Sequence, residues 1–168
     1  MTTLLVTHPS GLDHLTPAGH PERPDRLRAI DQSLAADSFQ PLVRALAPEG
    51  TLDVVGLCHN EHYVDELRHI APSKGLVYLD GDTSMSPGTW EAVMRGVGGA
   101  VAATDAVLSG SSDNAFVAVR PPGRRRSVRC GAGRRDGSWA CRPTSSSPPT
   151  WSDGSGTPSR SPRVGWWG

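Results

Sequence analysis

Ala115-Phe116-Val117-Ala118-Val119-Arg120-Pro121-Pro122-Gly123 is a run of five apolar residues closed by an arginine, two prolines and a glycine. A strand that is apolar at every position is buried on both faces, the pattern of a parallel sheet covered by helices. Thr3 to Thr7 reads the same way, as does Leu76-Val77-Tyr78-Leu79 between Gly75 and Asp80, and Leu42 to Leu46 supplies a further strand. Helical patterns lie between them. Pro24 suits a first helical turn, where its missing N–H costs nothing, and Leu27, Ile30 and Leu34 follow at helical spacing. Thr51 to Cys58 reads as a short helix, and Asn60 as the cap of another that presents Val64, Leu67 and Ile70. Ser86-Pro87 reads as a cap with proline at the first position, opening a helix that runs to Leu108. Its Gly96, Gly98, Gly99, Ala100, Ala102 and Ala103 leave room for a close neighbour. Alternating strands and helices give an α/β fold: an open parallel sheet with helices on both faces. Chemistry in such sheets sits beyond the carboxyl ends of the strands, which is where Arg120-Pro121-Pro122-Gly123 stands.

The composition breaks at Gly123. From Arg124 to Gly168 there is no Leu, Ile, Met, Phe, Tyr or Lys, and four of the five Trp fall there. Arg, Ser, Gly and Pro fill 30 of those 45 positions, too polar a mixture to build a core. The neutral total hides net −7 over residues 1–123 and net +7 over 124–168, so the two parts need separate functional readings. The division is therefore an α/β domain over 1–123 and a disordered Arg/Ser/Gly/Pro/Trp-rich tail over 124–168. No apolar run is long enough for a membrane span, and the N-terminus has no secretory pattern, so a cytoplasmic setting is expected. Cys58, Cys130 and Cys141 are an odd number without Cys-x-x-Cys spacing, which points to neither a disulfide framework nor a zinc ribbon.

Four segments, in order, are similar to one family: Gly19-His20-Pro21-Glu22-Arg23-Pro24-Asp25-Arg26-Leu27; Cys58-His59-Asn60-Glu61-His62-Tyr63-Val64; Asp80-Gly81-Asp82-Thr83 before the long Ala/Gly-rich helix; and Ala115 to Gly123. Together they resemble the histone deacetylase family in its broad sense, including acetoin-utilisation proteins and acetylpolyamine amidohydrolases. The likeness covers residues 1–123. It implies the amino-terminal part of the open sheet that deacetylases share with arginases, and zinc-dependent hydrolysis of the acetyl-amide on a lysine or polyamine. It also implies that Asp82 is a rim carboxylate accepting hydrogen bonds from the substrate backbone. A capping or turn aspartate ahead of Ser86-Pro87 is the competing reading of Asp82. By the same resemblance Arg120 makes a structural ion pair at the active-site end, and Pro121, Pro122 and Gly123 shape the turn.

In the family two proton-handling histidines follow this turn, and an Asp-x-His and a later Asp hold the zinc. Arg124 and Arg125 stand in the histidine positions here, and nothing after Gly123 is a His, a Glu or a Tyr. Arginine stays protonated at working pH and repels a cation, so it replaces neither base nor ligand. The chain as written is thus expected to be inactive, with no catalytic residue and no zinc site of its own. Ser145-Ser146-Ser147-Pro148-Pro149 amid Arg, Gly and Trp is what a GC-rich coding region yields out of frame, so a change of reading frame at or just after codon 123 is expected. The alternative is a non-catalytic chain whose Arg cluster near Trp139 binds nucleic acid or another acidic partner by charge and stacking.

The remaining candidates weigh less. Asp80 to Glu91 imitates a calcium loop, but Met85 stands where the sixth-position glycine is needed. His59 and His62 are three apart rather than the four of a His-Glu-x-x-His zinc site and read as solvated or rim residues. His20 reads as a loop-ordering residue, and His8 and His14 have no partner the sequence identifies.

Overall fold

The computed structural model describes residues 1–122 and the backbone of Val164–Gly165. Apart from those two residues, the expectation of a disordered tail lies outside the described residues, as do Gly123, Arg124 and Arg125. β1 (Thr3–Thr7) is the central strand, pairing in parallel with β2 (Val43–Leu46) on one side and β5 (Asn114–Ala118) on the other. Val164–Gly165 forms β6, parallel to β5, so the strand order is β2-β1-β5-β6.

Successive β1 side chains enter opposite layers. Leu4 and Val6 join Ala47, Ala115, Val117 and Ala103, the last on α4 (Thr89–Leu108). Leu5 instead meets Ala118 and Leu27 of α1 (Pro24–Leu34), with Leu34 and Phe116 packed alongside. The continuous apolar runs therefore arise because α4 and α1 cover opposite faces of one parallel sheet. α1 begins at Pro24, and α2 (Leu52–Gly56) is capped by Thr51. α3 (Glu61–Ile70) is capped by the Asn60 carboxamide oxygen, which accepts from His62 N–H at 2.9 Å.

Two expected elements differ. Leu76 to Leu79 is not a buried strand of the sheet. Only Val77–Tyr78 is extended (β3), it pairs antiparallel with Ser84–Met85 (β4), and Tyr78 is 63% exposed. The chain turns back directly after these residues, Leu79 N–H donating to the Thr83 carbonyl and Asp82 N–H to the Asp80 carboxylate, so they form one arm of a short hairpin instead. The long helix also starts at Thr89 with Gly88 as its N-cap, two residues beyond Pro87. Ser86 caps nothing in α4, because its hydroxyl is spent on the His8–Arg23 loop, accepting from Leu15 N–H and donating to the Asp13 carbonyl.

The small residues of α4 are not equivalent. A Cβ on Gly98 would fall 2.1 Å from the Pro48 carbonyl oxygen, whereas one on Gly96 would meet only Val119 at 3.7 Å. Helix propensity favours alanine over glycine by about 1 kcal/mol, but forcing backbone apart costs about 1–3 kcal/mol. Gly96→Ala is expected to stabilise the chain by up to about 1 kcal/mol, and Gly98→Ala to destabilise it despite the same propensity gain. Urea denaturation of the two variants checks the opposite signs.

Candidate functional site

β1 and β5 run in parallel with Thr7 opposite Ala118, so the segments leaving both strands emerge at the same end of the sheet. From β1 comes the loop His8 to Arg23, which begins with a 3-10 turn at Pro9–Leu12. His8 caps that turn, its Nδ1 accepting from Ser10 N–H at 3.2 Å. From β5 comes Arg120, 5% exposed.

Arg120 needs acceptors there, and the loop supplies three. Its Nη1 donates to the Gly11 carbonyl at 2.6 Å and the His14 carbonyl at 3.1 Å. Its Nε and Nη2 fork onto Glu22, donating to Oε1 and, at 2.7 Å, to Oε2. A bidentate pair of this kind fixes orientation as well as distance. Gly11 approaches closely enough that a Cβ there would stand 3.2 Å from the Arg120 backbone nitrogen. The Arg120–Pro121 bond is cis; Pro121 is half-buried and Pro122 exposed.

The clamp continues inward. His14, 5% exposed, places Nε2 3.4 Å from Glu22 Oε2 and Nδ1 2.7 Å from the Thr89 hydroxyl. Thr89 Oγ1 in turn accepts from Ser86 N–H at 2.7 Å. The bonds run in one direction when His14 carries its proton on Nε2: Thr89 donates to His14, and His14 donates to Glu22. Every charged and polar group in this buried cluster is thereby given a partner, the condition under which burial of such groups is tolerated.

Burial alone would raise the Glu22 carboxyl. The hydrogen bonds from His14 and Arg120, with the guanidinium charge, outweigh it and bring the value down from 4.5 to about 2.

Of the residues singled out from sequence, Arg120 thus finds its partner in Glu22. Asp82 lies apart from the buried cluster on the β3–β4 loop, its side chain 93% exposed, with Oδ1 3.2 Å from His20 Nε2. It does not cap α4, and the turn is closed by Asp80, whose carboxylate accepts from Asp82 N–H at 2.9 Å. His59 and His62 do not meet each other: His59 faces the Tyr63 ring, and the exposed His62 pairs with Glu66 at 3.3 Å. Among the described residues no group of three His, Cys, Asp or Glu side chains is placed to hold a metal ion, and no helix is long and apolar enough to cross a membrane. No local pattern pairs His14 with Thr89, whose contact spans 75 residues. The Ser86 and Thr89 spacing resembles a helix cap and conceals their real use.

A parallel sheet with covered faces and a polar clamp at its carboxyl end matches a defined class. Residues 20–124 match the histone deacetylase domain, and the chain belongs to that family. It is 32% identical over 136 residues to a probable deacetylase of Archaeoglobus fulgidus, covering 79% of this chain and 37% of that protein. It is also 32% identical over 108 residues to a histone deacetylase-like amidohydrolase of Pseudomonas aeruginosa, covering 63% of this chain and 28% of that one. The HD domain of HDA15 is similar in structure, with a TM-score of 0.68 at 29% identity over 73% of this chain and 36% of that chain. The chain thus spans well under half the length of the curated relatives it matches.

A depressed carboxyl contributes stability that is complete above its unfolded value and is lost as pH falls through the folded one. The Glu22 contribution is therefore expected to hold above pH 4.5 and to disappear as pH falls toward 2. Glu22→Ala strands a buried guanidinium and should cost about 3–5 kcal/mol at neutral pH. Glu22→Gln should remove the pH dependence over that window. Denaturation followed across pH 2 to 7 checks both.

Proposed function

We propose that residues 1–123 are the amino-terminal portion of a zinc-dependent deacetylase, acting on the acetyl-amide of a lysine or polyamine, and that the chain as written does not perform the hydrolysis. The Arg120–Glu22 clamp is the observation that carries this reading. It fixes the polypeptide at the carboxyl end of β5, and a few residues further on the chain supplies Arg124 and Arg125. Guanidinium groups neither take the proton of a bound water nor ligate a cation. A catalytic zinc requires three protein donors and an open position, and its chemical contribution is an activated water. The donors in residues 1–122 do not assemble such a set, so no step is assigned through the metal. Asp82, on an exposed turn, is the carboxylate this portion offers to substrate.

A change of reading frame explains the arginine-rich stretch, and codon structure refines where it falls. Every arginine codon has G as its second base. A single-base shift across Arg124 to Arg126 therefore yields only codons that begin or end in G, whereas histidine codons begin with C and end in a pyrimidine. No such shift places histidines there, so a frame change alone does not restore them and the reading requires codons to be missing next to Gly123 as well. Further on, Ser145-Ser146-Ser147-Pro148-Pro149-Thr150-Trp151 can be read one base earlier. Serine codons of the TC type then give Phe, Leu, Ile or Val, proline codons give small residues, and Trp151 gives Leu, Met or Val. That is the apolar composition the tail lacks.

Sequencing the gene across codons 115 to 130 and translating all frames is expected to reveal this apolar continuation, with codons missing beside Gly123. The purified chain is expected to bind no stoichiometric zinc and to leave an acetyl-lysine peptide intact. Turnover with stoichiometric zinc overturns the claim of inactivity. An intact frame without any apolar continuation overturns the frame-change origin of residues 124–168.

A further inference from the structure

His20 belongs to the Gly19–Leu27 motif yet takes no part in the buried clamp; it stands between the clamp and Asp82. Its Nε2 lies 3.2 Å from Asp82 Oδ1 across 62 residues of sequence. Its Nδ1 lies 3.1 Å from both the backbone nitrogen and the backbone oxygen of Glu22. The His20 side chain is 20% exposed against 93% for Asp82, so the histidine is the enclosed member of the pair and the aspartate the one that reaches solvent. We infer that His20 is a positioning residue, which ties the Asp82 carboxylate to the same Glu22 segment that is bolted to Arg120. The inference rests on Asp82 being the carboxylate offered to substrate.

The geometry gives the ring two ways to do this. A ring nitrogen cannot donate and accept at once. With one proton, on Nε2, the ring donates to Asp82 and its Nδ1 accepts from Glu22 N–H. With two protons, Nε2 still donates to Asp82, and Nδ1 donates to the Glu22 carbonyl. That oxygen already accepts from Thr16 Oγ1 at 2.6 Å and has a second lone pair to give. Asp82 is held in both states, and only the Glu22 group that is gripped changes. The bond to the Glu22 carbonyl, then that to the Asp82 carboxylate, raises the His20 value above the ordinary 6.5, and the charges acting on the ring are those of Asp82 and Glu22, both acidic. A raised value means that this contribution to stability is complete below pH 6.5 and fades as pH rises through the folded value.

The test is an NMR titration of the full chain. His20 ring nitrogens and the Asp82 amide are followed with pH in the unsubstituted chain, in Asp82→Asn and in His20→Gln. His20 should titrate above 6.5, and Asp82→Asn should lower its midpoint. The Asp82 amide should sense the His20 titration and lose that response in His20→Gln, while the Glu22 and Arg120 signals persist. A His20 midpoint indifferent to Asp82→Asn, or an Asp82 amide that never senses the ring, overturns the inference. Adding an acetyl-lysine peptide separates this from the reading of Asp82. If the peptide moves no Asp82 signal while the coupling is intact, the substrate role fails and the positioning contact stands.

Discussion

A guanidinium buried at the end of a strand has to be answered, and in this protein the answer organises everything around it. Removing an ion from water costs several kcal/mol, repaid only when good geometry satisfies its remaining donors. Arg120 meets that condition through two carbonyls and one carboxylate, all on the His8–Arg23 loop. The path of that loop is therefore dictated by one charge. Glu22, so engaged, receives His14, and His14 receives Thr89 at the start of α4. Such a network adds little net stability over an apolar substitute, but it admits few alternative arrangements of loop, strand end and helix.

The sheet was legible because its strands are apolar on both faces and its helices carry conventional starts. Leu4, Leu5 and Val6 in succession announce a doubly covered strand, and Pro24 and Asn60 announce helix beginnings that stand where expected. What the sequence concealed is polar and distant. Ser86 looks like a cap because local spacing says so, yet a neighbour 71 residues away outcompetes the local helix N–H groups for its hydroxyl. His14 carries no local pattern at all, since its meaning comes from Glu22 and Thr89. Tyr78 and its neighbours show the opposite failure: an apolar run that the turn at Asp80 folds back into a hairpin arm. For the site, Arg120 advertises its need for a counter-ion, but only the fold names Glu22 among the acidic residues of the front part.

Residues 1–122 hold loop and strand end in register, and they do so with groups whose hydrogen-bonding capacity is consumed by one another. Glu22, His14 and Thr89 are too fully engaged with each other to serve as general bases or ligands. Asp82, outside this cluster, keeps its carboxylate facing solvent. In the reading proposed above, framing and chemistry fall to different stretches of the polypeptide, and a change of composition after the turn takes away the second and leaves the first.

The position of β1 has a consequence for how the chain comes to be folded. β1 pairs on both of its edges, and its partner β5 lies 111 residues further along the chain, as the contact between Thr2 and Asp113 measures. Non-local parallel pairing must pay for closing a long loop before it is rewarded, which makes it slow. Until β5 joins it, one edge of Thr3–Thr7 stays unpaired, a state prone to wrong association. Acquisition of the native sheet is therefore gated by the pairing of Asn114–Ala118 with Thr3–Thr7.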